Sequence, residues 1–412
     1  MNILLLAEVS AATVIGGAER VLREQALGLQ QRGHQVCLVV RTPQEDFRSQ
    51  VAVGAVTEHR YGVSRRNQFV FALSSFVRSV QTFDCARSRD MLDVVLVHQS
   101  MAALGPILLR RGSARSWVYV CHSLAHEEYL SRSGEDSALC GRVLRALGAG
   151  LRRWCERVVM QHCAKVVVLS AFMKQRVMSA HNIDEARVHI LPGGADPVKF
   201  CPAEDRAEVR RRLGISTDKV VLLTVRNLVA RMGLDRLIQA MAQVEKEHPD
   251  VLVLIGGSGP LRQELEWLLT DLHLTHRVKL LGFIAEEELP HYYQAADVVL
   301  MPTHELEGFG LVTVEALACG TPVLGTPVGA IPEVLARLDP GLLAKGSDPD
   351  SLALAIDGIL SRFRAQPDEW KQLSLKGRML IMEQYNWSRH NEQLDLLLQN
   401  VCGRSSLPLR GW

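Results

Sequence analysis

The stretch that most constrains this chain is residues 300–334, LMPTHELEGFGLVTVEALACGTPVLGTPVGAIPEV. A short apolar run, Val298 to Met301, stops at Pro302. A polar loop with Glu305 and Glu307 follows, and Gly308-Phe309-Gly310 then leads into an apolar segment that ends at Gly320. That order predicts a strand, a tight glycine turn and the start of a helix. The first turn of a helix has backbone N–H groups without intrahelical partners and carries the positive end of the helix dipole. An anion above Gly310, Leu311 and Val312 is therefore stabilised, and phosphate is the obvious one. Glu307, before the turn, and Glu315, on the helix, lie eight residues apart, so both carboxylates can meet one ligand from different sides. Carboxylates suit sugar hydroxyls, which donate hydrogen bonds to them. After Gly320-Thr321-Pro322, Val323 and Leu324 read as another short strand, and Gly329-Ala330-Ile331-Pro332-Glu333 as the next helix start.

At 412 residues the chain is long for a single core, so two domains are expected. No apolar run of 18 or more residues is present, and Met1-Asn2 leads straight into the strand-like ILLLA without a basic leader, so the expected location is the cytoplasm. The nine cysteines are scattered, none in a C-x-x-C pair, and Cys37 and Cys121 fall inside apolar strand patterns; they read as reduced core residues. The net charge of +2 hides an asymmetry: residues 1–190 carry +8 and the remainder −6. A basic first half can face an anionic acceptor or the inner face of a membrane, or can simply be solvated. No nucleic acid partner is expected.

The ordered set formed by Glu307, seven residues, Glu315, then CGTPV and VGAIPE resembles the signature of the retaining GT-B glycosyltransferases of family 4, the glycosyl transferases group 1. The resemblance implies an α/β fold of two facing Rossmann-like, doubly wound parallel-sheet domains with the donor site in the cleft. It covers nearly the whole chain, with its specific motifs concentrated in the second half.

Along the chain, Ile3 to Leu6 is an apolar run, followed by a loop and Gly16-Gly17 before a helical pattern that ends near Gly33. The glycines stand too far from the strand end for a G-x-G-x-x-G dinucleotide fingerprint. The family's paired glycines, which let backbone approach the donor diphosphate and the acceptor, match Gly16 and Gly17. Buried-strand runs recur at Val36 to Val40, Val94 to Val97, Trp117 to Cys121 and Val166 to Leu169, separated by helical stretches, which calls for a parallel sheet covered on both faces. His122 directly follows WVYVC, at the carboxyl end of a strand where open α/β sheets bind ligands. It matches the family histidine that touches the donor sugar; His126 and Glu127 are weaker candidates on the same loop.

Residues 137–164 place Arg142, Arg145, Arg152, Arg153 and Arg157 among leucines, valines and Trp154. Such a stretch can lie on anionic lipid, or can be a domain-surface helix whose arginines extend over apolar neighbours. Ser170 and Leu191-Pro192-Gly193-Gly194-Ala195-Asp196 resemble the end of the family's first domain, so a linker is expected near residues 193–203. The expected domains are 1–195 for the acceptor, 196–385 for the nucleotide sugar, and 386–412 as a helix crossing back to the first domain with a frayed tail from Gly403.

In the second half, Val220 to Val225 ends at Arg226-Asn227-Leu228-Val229-Ala230-Arg231-Met232-Gly233. The family brackets this loop with an arginine and a lysine aimed at the diphosphate. Aligned on Leu228-Val229 and Gly233, these fall on Asn227 and Met232, which carry no charge; Arg226 and Arg231, one residue earlier in each case, keep the spacing and are the expected replacements. The turn Gly256-Gly257-Ser258-Gly259-Pro260 resembles the family's glycine turn near the nucleotide, and Gly282-Phe283-Ile284 the loop that holds the base.

The reaction implied is transfer of a hexose, with retention, from a nucleotide diphosphate sugar to a hydroxyl acceptor, whether glycan, lipid-linked or small molecule. A UDP-sugar is the first expectation and a GDP-sugar the second. The growing charge of the leaving diphosphate needs preorganised donors. Arg226, Arg231, the Gly310 helix start and the Gly16-Gly17 backbone are assigned to it, Glu315 to the ribose, and Glu307 and His122 to the sugar. Gly308, Phe309, Gly257 and Phe283 complete the expected donor contacts. With arginines and helix ends in these roles, no metal and no cofactor beyond the nucleotide sugar is expected. The alternatives are a nucleotide-sugar epimerase of the same fold and a noncatalytic donor-binding partner protein.

Overall fold

Valine and leucine runs buried on both sides build the centre of each of two sheets, because only strands covered by helices on both faces can dispense with polar alternation. The computed structural model describes residues 1–403 except 45, 47, 88–90 and 133–138. The expected fraying of residues 404–412 and the first two residues of the 137–164 stretch lie outside the described residues. The chain divides into one unit formed by Met1–Pro192 with the segment from Trp387, and a second formed by Gly193–Asn386.

The first unit runs β1 (Asn2–Ala7), α1 (Gly17–Gln31), β2 (Gln35–Arg41), β3 (Gln50–Val53), β4 (Val56–Tyr61), α2 (Gln68–Ala86), β5 (Leu92–Val97), α3 (Ser100–Arg110), β6 (Ala114–Cys121), α4 (Ala125–Arg132), α5 (Leu139–His162), β7 (Lys165–Val168), α6 (Ala171–His181) and β8 (Val188–Ile190). The strands form an eight-stranded sheet in the order β3-β4-β2-β1-β5-β6-β7-β8. All pairs are parallel except β3 with β4. Strands β3, β4 and β8 add to the sequence expectation. In β4 the buried residues include Glu58 and Arg60, an ion pair in a strand with little of the valine-leucine signal.

The second unit runs α7 (Arg206–Arg212), β9 (Val220–Val225), α8 (Leu234–Val244), β10 (Val251–Gly256), α9 (Arg262–Asp271), β11 (Val278–Gly282), α10 (Leu289–Ala295), β12 (Val298–Met301), α11 (Leu311–Ala318), β13 (Val323–Gly325), α12 (Ile331–Leu338), α13 (Pro349–Ala365) and α14 (Pro367–Glu383). Its five strands are all parallel, in the order β11-β10-β9-β12-β13. The residues expected to act as a linker are seated in this unit: a Cβ on Gly193 would stand 2.7 Å from Leu311 Cδ2, and Ala195 donates its N–H to Tyr385 O at 3.0 Å.

The last helix, α15 (Trp387–Val401), packs along α1 in the first unit. Gly28 makes this possible, since a Cβ there would stand 2.0 Å from Asn391 Nδ2. The Asn391 amide donates to Glu24 O at 3.1 Å, and His34 Nε2 meets Asp395 Oδ1 at 2.8 Å.

Each sheet has one place where strand order reverses. In the first it lies between β1 and β5, in the second between β9 and β12. Connections leave such a point in opposite directions and open a crevice at the carboxyl ends, where open α/β sheets bind ligands.

Candidate functional site

In the second unit, the two strands at the reversal end at Val225 and Met301, and the residues just beyond them meet. Arg226 donates from Nη2 to Thr303 Oγ1 and to Glu307 Oε2, and Thr303 Oγ1 donates to the same Glu307 oxygen at 3.2 Å. Arg226 is 7% exposed and Glu307 9%, so the pair is a desolvated one whose charges need each other. Arg226 Nε, also buried, has no hydrogen-bond partner.

Backbone interlacing holds these loops. Gly257, at φ 134°, would place a Cβ 1.9 Å from Arg226 O, and it donates its N–H to Gly282 O at 2.7 Å. Gly233, at φ 67°, would place a Cβ 2.1 Å from Pro302 O. Both positions exclude a side chain by contact as well as by conformation. Arg231 donates from Nη1 to Leu306 O at 3.0 Å, and Leu306 itself takes the left-handed conformation at φ 55°. Arg231 thus fastens the residue preceding Glu307. Of the two uncharged positions, Asn227 is exposed and Met232 is buried among core residues.

Gly310, at φ 86°, caps the N-terminus of α11, and Leu311 and Val312 form its first turn. Glu315, on the same helix, is 2% exposed and accepts a hydrogen bond from Tyr293 OH at 3.0 Å. Phe283 is 58% exposed, at the carboxyl end of β11.

In the first unit, His98 follows β5 and His122 follows β6. Their rings stack at 5.1 Å between centroids, and His98 Nδ1 lies 2.9 Å from His122 Nε2. His390, from α15, is fully buried; its Nδ1 meets Pro192 O at 2.7 Å and its Nε2 meets Gln25 Nε2 at 2.9 Å. The carbonyl can only accept, so His390 carries its proton on Nδ1 and accepts from the Gln25 amide on Nε2. Burial pulls His122 and His390 down to about 4 and places His98 well below the usual histidine value, so all three rings are neutral at pH 7.

The loop between β1 and α1 is pinned by the buried Glu58 carboxylate, which accepts from Ser10 Oγ at 2.7 Å and from Ala11 N at 2.7 Å. That anchors the approach to Gly16 and Gly17. Gly16 caps α1 and donates its N–H to Glu19 Oε2 at 3.1 Å, so this donor, assigned to the diphosphate from sequence, has an internal carboxylate partner. Glu156 similarly fixes the segment after His122, accepting from Ala125 N at 2.7 Å and bonding His126 Nδ1 at 2.9 Å.

Among the described residues, two groups have metal-ligand chemistry: His126, Glu156 and His181, and Glu247, His248 and Asp357. In the first, both Glu156 oxygens already take hydrogen bonds from the protein. The expectation of no metal passes over one Asp-x-Asp triplet, Asp348-Pro349-Asp350. Its first carboxylate is spent capping α13, accepting from Ser351 N at 2.8 Å. His98, Thr303, Tyr293 and His390 are the residues that the sequence reading missed. His98 follows LDVVLV as His122 follows WVYVC, so the strand-end argument that found one would have found the other.

The profile described as "Glycosyltransferase Family 4" matches residues 15–199, and that described as "Glycosyl transferases group 1" matches residues 205–372. An uncharacterized glycosyltransferase of Methanocaldococcus jannaschii is 32% identical over 226 residues, 54% of this chain and 56% of that protein. The GDP-mannose-dependent alpha-(1-6)-phosphatidylinositol monomannoside mannosyltransferase of Mycolicibacterium smegmatis is 31% identical over 305 residues, 72% of this chain and 73% of that protein. Among solved structures, sucrose-phosphate synthase from Thermosynechococcus elongatus superimposes with a TM-score of 0.83 at 23% identity, covering 98% of this chain and 100% of that one, and shows the shared fold. Two parallel-sheet units with glycine-laced loops at their strand-order reversals, and matches of this kind along both halves, make the chain a member of the group 1, family 4 glycosyltransferases with the GT-B fold.

Proposed function

We propose that the chain transfers a sugar, with retention of configuration, from a nucleoside diphosphate sugar to an acceptor hydroxyl, and that its second unit holds the donor. The observation that carries this reading is the buried Arg226–Thr303–Glu307 cluster at the reversal of the second sheet. A carboxylate fixed by a guanidinium accepts hydrogen bonds from sugar hydroxyls. Arg226 and the first-turn N–H groups of Leu311 and Val312 supply positive potential where a leaving diphosphate gathers charge. Arg231 acts there by holding Leu306, and Glu315 binds ribose. Gly257 shapes the nucleotide loop, and Phe283 presents an apolar surface to the base. The first unit contributes His122 to the sugar, the Gly17 backbone to the diphosphate, and the acceptor contacts, the Gly16 N–H being held by Glu19.

The donor follows from two sources. Resemblance to the family puts a UDP-sugar first, and the M. smegmatis relative is named for GDP-mannose. Incubating the purified chain with UDP-glucose, UDP-N-acetylglucosamine and GDP-mannose, and following free UDP or GDP, tests the reading. Slow hydrolysis of one donor without acceptor, accelerated by the right acceptor, is expected. Epimerised donor with no release would favour the isomerase, and tight donor binding without turnover the noncatalytic partner.

The acceptor side carries a second observation. Helix α5 exposes Val143, Leu144, Leu147, Leu151 and Trp154, each 45% or more accessible, at helical spacing and interleaved with arginines. No helix among the described residues is long and apolar enough to cross a membrane. The stripe fits the surface of an anionic bilayer, with apolar side chains in the interface and arginines on headgroups. Co-sedimentation with phosphatidylglycerol vesicles but not phosphatidylcholine vesicles, lost in Leu147→Glu with Trp154→Glu, is the expected result.

A further inference from the structure

We propose that His98 is the positioning residue for His122: the hydrogen bond between His98 Nδ1 and His122 Nε2 sets the His122 ring so that its Nδ1 is the nitrogen presented to the sugar. The proposal rests on the reading of His122 as a sugar contact.

The geometry carries it from three sides. First, His98 is itself immobile. It is 1% exposed, its backbone N–H donates to Leu6 O at 2.8 Å, and it stands at the end of β5 beside the strand-order reversal. Second, β5 and β6 are paired in parallel register with Val97 opposite Tyr119, so His98 leaves β5 level with Val120 and His122 leaves β6 two residues further along, on the same face of the sheet by strand alternation. The two side chains span that offset, stacking with 27° between their planes and 2.9 Å between the facing nitrogens. Third, the bond consumes one nitrogen of each ring and leaves His122 Nδ1 buried with no partner. A buried polar atom without a partner is rare in folded proteins, and one on a strand-end loop is a place where a ligand group fits.

The pairing also fixes protons. A hydrogen bond between two neutral imidazoles needs one N–H and one lone pair, so the tautomer of His98 dictates that of His122. His122 can then exchange a hydrogen bond with a sugar hydroxyl without adding a positive charge beside an anomeric carbon that becomes cationic as the glycosidic bond breaks. Of the titratable groups near His122, His98 touches it directly and His390 acts on it through space, and both are held neutral by burial.

The test uses the full chain with whichever of UDP-glucose or GDP-mannose the wild type cleaves. His98→Phe keeps a planar aromatic ring for stacking but removes both nitrogens. His98→Asn places an amide close to the Nδ1 position. Loss of a partner that orients a functional side chain typically costs about 10- to 100-fold. His98→Phe is therefore expected to lower kcat by that factor with KM for the donor and affinity for free UDP or GDP unchanged, and His98→Asn to recover most of the loss. Wild-type kcat in His98→Phe, equal losses in both variants, or a fall in nucleotide affinity alongside kcat would each overturn the assignment. If the wild type cleaves neither donor, it is the functional reading that fails, and crystal structures then decide the positioning. A His122 ring that turns in His98→Phe supports it, and an unchanged ring rotamer overturns it.

Discussion

The Arg226–Glu307 pair and the His98–His122 pair stand at comparable points of their sheets, on loops leaving the carboxyl ends of strands at or beside the reversal, yet they are built on opposite principles. The first is charged and closely held: Thr303 and Arg226 converge on one Glu307 oxygen, and glycines at 233 and 257 admit the backbone contacts that hold the loops. The second is neutral, and it leaves one nitrogen of each ring without a partner. In the proposed function, the charged pair faces an anionic diphosphate and can be locked in advance by opposite charge. His122, proposed to sit beside a carbon that becomes cationic, is better kept uncharged and completed by the substrate itself.

The sharpest break in that contrast comes from Glu307→Ala, which leaves a buried guanidinium without its carboxylate. Loss of about 3–5 kcal/mol is expected by denaturant unfolding, with turnover abolished. Glu307→Gln should recover much of the stability and little of the rate. A stable Glu307→Ala chain would mean that the pair is less desolvated than its 7% and 9% exposures imply.

A smaller effect is expected at Gly233. The left-handed conformation alone costs a β-carbon about 1–2 kcal/mol, and the approach to Pro302 O adds to it. Gly358→Ala is the control: it lies inside α13 with nothing within 4 Å of its Cβ, and should stabilise by about 0.5–1 kcal/mol. Thermal unfolding reads both. Similar Tm shifts in the two variants would show that the loop at 233 yields.

The gentlest prediction concerns the neutral histidines. His390 is depressed from 6.5 to about 4, so between those values the unfolded chain binds a proton that the native chain does not. Stability must then fall as pH is lowered through that window, and stay flat above it as far as this residue is concerned. By pH 5 the loss is at most about 2 kcal/mol, read as a lower Tm than at pH 7. The drop should shrink in His390→Gln, and an equal drop there would assign it to other groups.

Most of the framework was legible because its signals are local. Valine-leucine runs gave the central strands, and glycine turns gave the helix starts at Gly310 and Gly16. The resemblance singled out Glu307, Glu315 and His122. What escaped depends on pairs distant in sequence. Strands β3 and β4 carry polar residues whose burial makes sense only once Glu58, Arg60 and Ser10 are seen together. Tyr293 stands in no motif of the sequence, and its hydroxyl gains meaning from Glu315, 22 residues away. Nothing local in the sequence distinguishes His390 from a surface histidine; its partners lie at Gln25 and Pro192.

The return of α15 to α1 has a consequence for how the protein is made. The first unit is split by the whole of Gly193–Asn386, and the residues that close it, His390 and Asn391 among them, are synthesised only after that whole insertion. At about 5–20 residues per second, the ribosome needs roughly 10–40 s to deliver them after Pro192 has emerged. Throughout that interval the groove on α1 at Gly28 waits without its asparagine, while the second unit has its entire sequence in one piece and can fold first. Nascent chains should therefore be most vulnerable to aggregation and to holdase binding along α1, and a ribosome stalled just after Asn386 has left its exit tunnel should carry a finished second unit and an unfinished first one.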